Sequence, residues 1–387
     1  MAYEEFGLTE GDFYSRNFQK GMREDTMILN LGPQHPATHG VLRVIVELDG
    51  EYVIRAEPVI GYLHRMHEKM AEGRTITQYL PNMGRVDYGH ALGWNGALVG
   101  AVERLAGFEV PERAEYIRVI TTELNRITSH LLWWGAFTLD LGAITPIMYA
   151  FDDREQMLDI LQMATGSRLT HSSFRFGGVC TDLSDRFIET CKAFVPHMRD
   201  RLPMYRGLVT DNVILRKRLE GVGIFDADLC RRYGASGPVV RGSGIDYDVR
   251  RAEPYSVYDR FDWKVPVYPA GDSMARYLVR MDEMEQSLNI IEQALASLPA
   301  GKIMMPKAPK VTWALPKGES YFATEGARGK VGVHLVSDGG KFPYKIKLRS
   351  PCYCNLSAFA EAARGLLLAD ALAILGSLDL VIPEIDR

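Results

Sequence analysis

No C-x-x-C pair occurs anywhere in these 387 residues. The five cysteines, Cys180, Cys191, Cys230, Cys352 and Cys354, are odd in number and scattered along the chain. Iron–sulfur clusters usually take four thiolates, so Cys352 and Cys354 read as ordinary thiols. A disulfide framework is not expected in so long a chain, which points to a reducing compartment. A Walker phosphate loop, a G-x-G-x-x-G run after a strand and an H-E-x-x-H pair are also missing. Their absence removes the common nucleotide-binding and zinc-hydrolase readings. A basic surplus is lacking too: 45 Lys and Arg stand against 49 Asp and Glu, a formal net charge of -4. Phosphate backbones want the opposite balance, so nucleic acid is excluded as a partner.

Long apolar runs are scarce. The strongest, Leu131 to Phe151, is broken by Asp140, Gly142 and Pro146. A membrane span needs about 20 apolar residues with few charges. The segment therefore predicts a buried helix followed by a turn, and membrane association is expected only through partners. Residues 1–25 are charged and polar with no apolar centre, which predicts an extended arm rather than a signal peptide or an anchor.

What the chain does have is apolar mass, 47% hydrophobic residues, enough for two or three packed subdomains. Over 26–61 the pattern is β: Leu42, Val44, Val46 and Leu48 alternate with Arg43, Ile45 and Glu47, and Asp49-Gly50 makes a hairpin turn. Helical patterning dominates 62–299, with helices predicted over 62–72, 87–106, 112–140, 150–165, 183–207 and 272–298. Pro111 and Glu112 suit the first turn of the third. Residues 208–270 are mixed and hold the turn-forming run Arg241-Gly242-Ser243-Gly244. Pro306, Pro309 and Pro316 with four lysines over 300–318 predict a linker or partner-facing loop. Residues 319–387 read as a β/α subdomain. The fold class is α+β, a central helical bundle flanked by small β subdomains.

Three constellations could carry chemistry. The first is Gly32-Pro33-Gln34-His35-Pro36-Ala37-Thr38-His39-Gly40. On a helix, His35 and His39 would make a metal clip, but the prolines break any helix and no Glu or Cys stands at ligand spacing. The stretch reads as a rigid loop between strands. One histidine, His35, holds the loop in shape, and the other can offer a hydrogen bond or a proton near neutral pH. The second is Arg85-Val86-Asp87-Tyr88. A tyrosine there is either a core residue with a wet hydroxyl or a donor to a carbonyl oxygen, since a phenol keeps its proton until about pH 10. The third is the polar stripe Glu123, Arg126 and His130 at i, i+3 and i+7, with Asp140 within about 100° of it on a straight helix. Such a stripe is either a solvated face or an internal ionic network. The run Leu131-Leu132-Trp133-Trp134 beside it favours the network, and buried charges must be paired.

With these residues in view, the chain resembles the D-type subunit of complex I, which carries the letter H in chloroplast-type complexes. The His loop is its signature. The resemblance continues through Ile60-Gly61-Tyr62-Leu63-His64-Arg65, Glu123-Leu124-Asn125-Arg126-Ile127, Phe176-Gly177-Gly178-Val179, Arg241-Gly242-Ser243-Gly244, Leu335-Val336-Ser337-Asp338-Gly339 and Glu384-Ile385-Asp386-Arg387. That family is similar in turn to the large subunit of nickel–iron hydrogenases, which implies a hydrogenase-large-subunit-like fold. The two thiolate pairs of the hydrogenase centre are replaced here, one around Asn82-Met83-Gly84-Arg85 and one by Val381 and Glu384, so a soft-metal site is not expected.

The resemblance implies a quinone-binding subunit of a proton-translocating NADH:quinone oxidoreductase, or of a complex fed by ferredoxin or another donor. It implies quinone as substrate, bound by His39 and Tyr88, with Asp140 as the acid partnering the histidine. Arg65, methylated in some relatives, and His171 would lie near a 4Fe-4S cluster in a hydrogenase-small-subunit-like partner. No cofactor is expected in this chain itself. The implied partners also include the C-type protein of the same complex, a ferredoxin-like iron–sulfur subunit and a membrane subunit at the quinone channel. The implied location is peripheral, on the cytoplasmic side of the cell membrane. Residues 64–70 depart from the family, which usually has Gly or Thr after the Arg; His67 is an extra titratable group there and is expected to be a hydrogen-bonded or solvent-facing helix residue.

Overall fold

The structure, a computed structural model, describes residues 26–34 and 40–387. His35, His39 and the arm expected over 1–25 lie outside the described residues. Strands β1 (Met27–Leu31), β2 (Arg43–Asp49) and β3 (Tyr52–Val59) form an antiparallel sheet in chain order. The segment that carries His35 and His39 lies in the chain between the first two strands. Gly50 takes φ 59 in the hairpin turn, a conformation open to glycine at no steric cost. The expected polar face of β2 is not exposed. Ile45 packs with Val59, and Glu47 is buried, accepting from Thr26 Oγ1 at 2.9 Å.

The helical body comprises α1 (His67–Glu72), α2 (Ile76–Val86), α3 (Ala91–Ala106), α4 (Glu112–Asp140), α5 (Thr145–Thr165) and α6 (Asp185–Tyr205). Four short helices follow: α7 (Val213–Leu219), α8 (Ala227–Tyr233), α9 (Pro238–Arg241) and α10 (Val249–Ala252). The long α11 (Ser273–Ala296) closes the bundle. Pro81 and Gly84 hide α2 from a periodicity reading, yet Thr75 caps it with a reciprocal Thr75–Gln78 box. The helix expected from residue 87 begins only at Ala91, so Tyr88 lies in the preceding bend. The one expected over 62–72 begins at His67.

α4 has the central place. At 29 residues it runs about 43 Å at 1.5 Å per residue. Most of its circumference is buried, as befits a helix lined with apolar residues on nearly every side. Trp133 Nε1 donates to Gly376 O at 2.7 Å and Trp134 Nε1 to Tyr277 Oη at 3.0 Å, so both indoles are buried without an orphaned donor. α4 ends at Asp140 and α5 starts at Thr145, the helix and turn expected for Leu131 to Phe151. Among the described residues no helix is long and apolar enough to cross a membrane.

Strand β4 (Phe174–Arg175) pairs with β5 (Gly178–Val179), and a further antiparallel sheet contains β6 (Gly318–Gly326), β7 (Gly329–Ser337) and β8 (Lys345–Arg349). The C-terminal helices are α12 (Pro351–Ser357), α13 (Phe359–Ala362), α14 (Leu368–Leu378) and α15 (Ile382–Asp386). Two large cores result among the described residues, and neither follows chain order. Val331, Val333, Leu335, Ile346 and Leu348 of the β6–β8 sheet join the core of α2–α6 and α11. The first sheet shares the other core with α8, α9 and the C-terminal helices, through residues such as Val44, Val240, Leu375 and Ile382. The segment 300–318 is not a free linker: Met305 N donates to Gly177 O and Val179 N to Ile303 O, both at 2.9 Å, and Leu315 is buried.

Candidate functional site

The β6–β7 hairpin drives two charged side chains into the interior. Its two-residue tip is Ala327-Arg328, and a Cβ on Gly237 would sit 2.5 Å from Arg328 O and 2.4 Å from Gly329 Cα. Only glycine permits that approach of backbone to backbone. Glu325, just before the tip, and Arg328 each enter a separate buried ionic cluster.

The Glu325 cluster contains the α4 stripe. Glu123, Arg126 and His130 are all fully buried, which makes them an internal network and not a solvated face. Glu123 accepts from Arg126 Nε at 3.0 Å, Arg250 Nη1 at 3.2 Å, Tyr258 Oη at 2.7 Å and Ser287 Oγ at 2.7 Å. These partners hold its carboxyl far below the usual range against the opposing effect of burial. His130 Nε2 lies 2.9 Å from Glu283, which also takes Arg241. Arg241 bonds Glu325 at 2.8 Å, and Arg250 bonds Asp248 at 2.7 Å. Four carboxyls thus face three guanidiniums and a histidine that burial drives toward its neutral form. Burial and the neighbouring Asp248 push Glu325 upward, so it is the group most ready to hold the missing proton.

The Arg328 cluster lies beside Tyr88. Arg328 Nη1 donates to Asp87 Oδ2 at 3.1 Å and to Ser129 Oγ, and Nη2 donates to Asp379 Oδ1 at 3.2 Å. Its Nε is 3.1 Å from Asp379 Oδ2, an ion-pair contact without hydrogen-bond alignment. Asp87 also accepts from Gly89 N at 2.9 Å and His90 N at 3.1 Å, which shapes the bend that presents Tyr88. Tyr88 is 37% exposed. Its phenol is pushed up chiefly by desolvation, with Arg328 pulling the other way, so it stays protonated at neutral pH.

Glu384 of α15 is a buried acid pushed toward neutrality. Its Oε1 accepts from Ser350 Oγ at 2.8 Å and from Cys352 N at 3.0 Å, while Oε2 has no partner. Burial, assisted by Asp87, raises it to about 7. Asp87 and Arg328 act on both Tyr88 and Glu384, so the phenol and the carboxyl share one electrostatic neighbourhood. A Cβ on Gly40, next to His39 in the chain, would meet Ile382 Cγ1 at 3.4 Å. The downstream end of the His loop thus rests on the helix that carries Glu384.

Other expected residues fall in different places. Arg65 is exposed and donates to Arg85 O at 2.7 Å. His171 is buried, with Nδ1 3.0 Å from Thr165 Oγ1, and burial lowers it to about 4. Gly84 passes so close that a Cβ there would sit 3.1 Å from His171 O. The C-terminal half of α2 thereby ties Arg65 and His171 to the bend holding Tyr88. Asp140 does not join the stripe cluster: it ends α4 in an exposed position, about 15 Å along the axis from His130 at 1.5 Å per residue. Angular proximity on a helical wheel says nothing about axial distance. His67 also departs from expectation, being buried with neither ring nitrogen hydrogen-bonded. The blocks containing Gly61 and Asp386 meet directly, Gly61 N and Leu63 N donating to the Asp386 carboxylate at 2.9 and 2.6 Å.

Sequence reasoning included Asp87 only as part of the Arg85–Tyr88 run, without a role, and missed Arg328, Asp379, Asp248, Arg250, Glu283 and Glu325. One signal was available. Arg276, Arg280 and Glu283 recur at i, i+4 and i+7 on a long helix, the same stripe pattern that identified α4. The others sit in short loops, a four-residue helix and strand ends, where no periodicity marks burial.

The family model for the respiratory-chain NADH dehydrogenase 49 kDa subunit matches residues 140–315 and 310–387. The chain is 61% identical to the second D-type NADH-quinone oxidoreductase subunit of Opitutus terrae, covering 94% of this chain and 91% of the relative. It is 60% identical to the D-type NADH-quinone oxidoreductase subunit of Desulfotalea psychrophila, with 94% and 98% covered. The H-type NAD(P)H-quinone oxidoreductase subunit of a Synechococcus strain is 45% identical, with 94% and 98% covered. Near-complete coverage on both sides and a matching family model lead to one conclusion: this chain belongs to the family of the respiratory-chain NADH dehydrogenase 49 kDa subunit.

Proposed function

We propose that this chain provides the quinone-headgroup site of an NADH-quinone oxidoreductase of the complex I type, with His39 and Tyr88 as the groups that hold the two quinone oxygens. The oxidoreductase assignment follows from family membership. The observation that carries the site is the pairing of a half-exposed, protonated Tyr88 with a buried charge cluster and a near-neutral Glu384 behind it.

Reduction of a quinone to a quinol takes two electrons and two protons, one proton to each oxygen. A 4Fe-4S cluster in a hydrogenase-small-subunit-like partner would supply the electrons, with Arg65 and His171 on the side of the site that would face it. Tyr88 donates a hydrogen bond to one oxygen as negative charge grows there, the usual large term in such chemistry. His39 serves the other oxygen, with Asp140 as its acid partner. Glu384 is the group placed to restore a proton to the site, because its pKa lies near the working pH. Rearrangement at Asp140 after proton loss from His39 would signal to the proton-translocating arm.

Within the complex the chain is peripheral, on the cytoplasmic side of the membrane. Its other neighbours are the C-type protein of the complex, a ferredoxin-like iron–sulfur subunit and a membrane subunit at the quinone channel. A second reading keeps the site and changes the donor to ferredoxin or another carrier.

Tyr88→Phe in the assembled complex tests the site. Quinone reduction is expected to fall about 100- to 1,000-fold, the effect of one lost charge-stabilising donor, while NADH oxidation by a soluble artificial acceptor is unchanged. Wild-type quinone turnover and affinity in this variant would remove Tyr88 from the site.

A further inference from the structure

Residues 300–318 have no part in the site, and their surface has a composition of its own. The segment holds Lys302, Lys307, Lys310 and Lys317 and no Asp or Glu, in a chain whose acids outnumber its bases. All four lysines are exposed. The backbone beneath them is fixed. Met305 N donates to Gly177 O at 2.9 Å, and Trp313 packs on Phe108 with ring centroids 5.4 Å apart. Leu315 N donates to Gly340 O at 3.1 Å, which ties the segment to the loop at 338–344. A Cβ on Gly339 would lie 3.7 Å from Lys317 Cβ, so the two loops share one surface. The second loop adds the exposed Lys341 and two exposed rings, Phe342 at 47% and Tyr344 at 67%. Val311 of the first is 55% exposed.

Ion pairing separates these lysines from their neighbours in the chain. Lys330, Lys345 and Lys347 pair with Glu253, Glu72 and Glu68. Among the described residues, Lys307, Lys310, Lys317 and Lys341 have no carboxylate at ion-pair distance. The flanking acids are engaged elsewhere: Glu319 lies 3.5 Å from His334 Nε2, and Asp338 accepts from Gly340 N at 2.9 Å. Glu109, next to Phe108 in the chain, is one carboxylate against four ammoniums.

A single exposed lysine is ordinarily just solvated. Here unpaired positive charge, exposed rings and a stiff backbone coincide. Pro306, Pro309, Pro316 and Pro343 fix the backbone angle φ at four points. Little ordering entropy is then lost when a partner docks. Charge of one sign around apolar anchors complements a surface of the opposite sign. A bilayer surface would draw on the broad apolar face of a helix, whereas the apolar groups here are three side chains on loops.

We propose that Lys307, Lys310, Lys317 and Lys341, with Phe342 and Tyr344, form a docking ledge for an acidic segment of a neighbouring subunit. Carboxylates of that segment meet the four ammoniums, and its apolar side chains cover the rings. This ledge presupposes that the chain works inside a multisubunit complex, and it is independent of the Tyr88 site.

A water-soluble carbodiimide joins an amine to a carboxylate in direct contact, and it tests the ledge on the assembled complex. Peptide mapping is expected to find these lysines linked to Asp or Glu of one segment in another subunit. Acetylation of the same lysines is expected in the free full-length chain and is expected to be lost in the complex. Lys310→Glu combined with Lys317→Glu is expected to lower recovery of the chain in the complex about tenfold, the scale of electrostatic steering. Tyr88→Phe is expected to assemble like wild type, so failure of the quinone site and failure of the ledge show in different measurements. Equal acetylation in the free chain and the complex overturns the proposal. Protection without a cross-link to another subunit's carboxylate, the result for a lipid or apolar cover, overturns it too. So does wild-type assembly of the folded double variant. The cross-links are read on the wild-type complex, so they decide the matter even where the double variant misfolds.

Discussion

Arg328 and Asp87 are 241 residues apart in the chain, and Arg328 Nη1 donates to Asp87 Oδ2 at 3.1 Å. That bond joins the tip of the β6–β7 hairpin to the bend that presents Tyr88. It also places a fixed positive charge beside a phenol and near a carboxyl that titrates close to neutrality.

Arg328→Met leaves Asp87 and Asp379 in the interior without their shared cation. Removing one partner of a buried pair costs about 3–5 kcal/mol. Denaturant unfolding is expected to show a loss of that order. Arg328→Lys is expected to recover only part of it, because an ammonium cannot reproduce the guanidinium fork across two carboxylates and Ser129. Full stability in the lysine variant would show that geometry is immaterial here.

Glu123→Ala strips Arg126 and Arg250 of a common carboxylate. A destabilisation of about 3–5 kcal/mol is expected from the uncompensated buried charge. Arg216→Ala, at an exposed pair with Glu220, serves as the contrast. It should change stability by less than about 1 kcal/mol, since solvent screens such pairs. Equal losses in the two variants would contradict the burial argument.

Glu384 holds its proton up to about pH 7 in the folded protein, against an ordinary value of 4.5. The folded state therefore binds a proton that the unfolded chain releases. Its contribution to stability is full below about pH 4.5 and is lost as pH rises through about 7. Glu384→Gln, which mimics the protonated acid, should match wild type near pH 4.5 and be more stable at pH 8.5. The displacement from 4.5 to about 7 corresponds to about 3 kcal/mol at most. Parallel stability curves across this range would refute it.

His67 has the opposite sign. Burial, with Arg65 and His64 nearby, lowers it from 6.5 to about 4. The unfolded imidazole takes a proton below about pH 6.5 and the folded one does not, so stability is full above 6.5 and falls as pH drops toward 4. His67→Leu should remove this loss, worth about 2 kcal/mol at pH 5. Thermal melts at pH 5 and pH 7.5 measure it, and an unchanged pH dependence would place the acid sensitivity elsewhere.

Local sequence patterns had wide reach in this chain. Alternation identified β2, and Asp49-Gly50 identified its hairpin. The α4 stripe was legible because 3.6-residue periodicity records which side chains share a face. The absence of paired cysteines set aside a thiolate-bound metal, and the His loop with its accompanying blocks indicated the family. Periodicity does not record how far apart two positions lie along an axis, or what the third dimension brings opposite them. It grouped Asp140 with a stripe whose nearest member lies about three turns away. It did not anticipate that His67 would be buried, that β2 would be covered on both faces, or that Glu325 and Arg328 would enter the interior from a hairpin tip. Those outcomes depend on long-range packing. A buried charge survives only where a partner from elsewhere in the chain arrives to neutralise it, and Arg328 meets Asp87 only once both cores have formed.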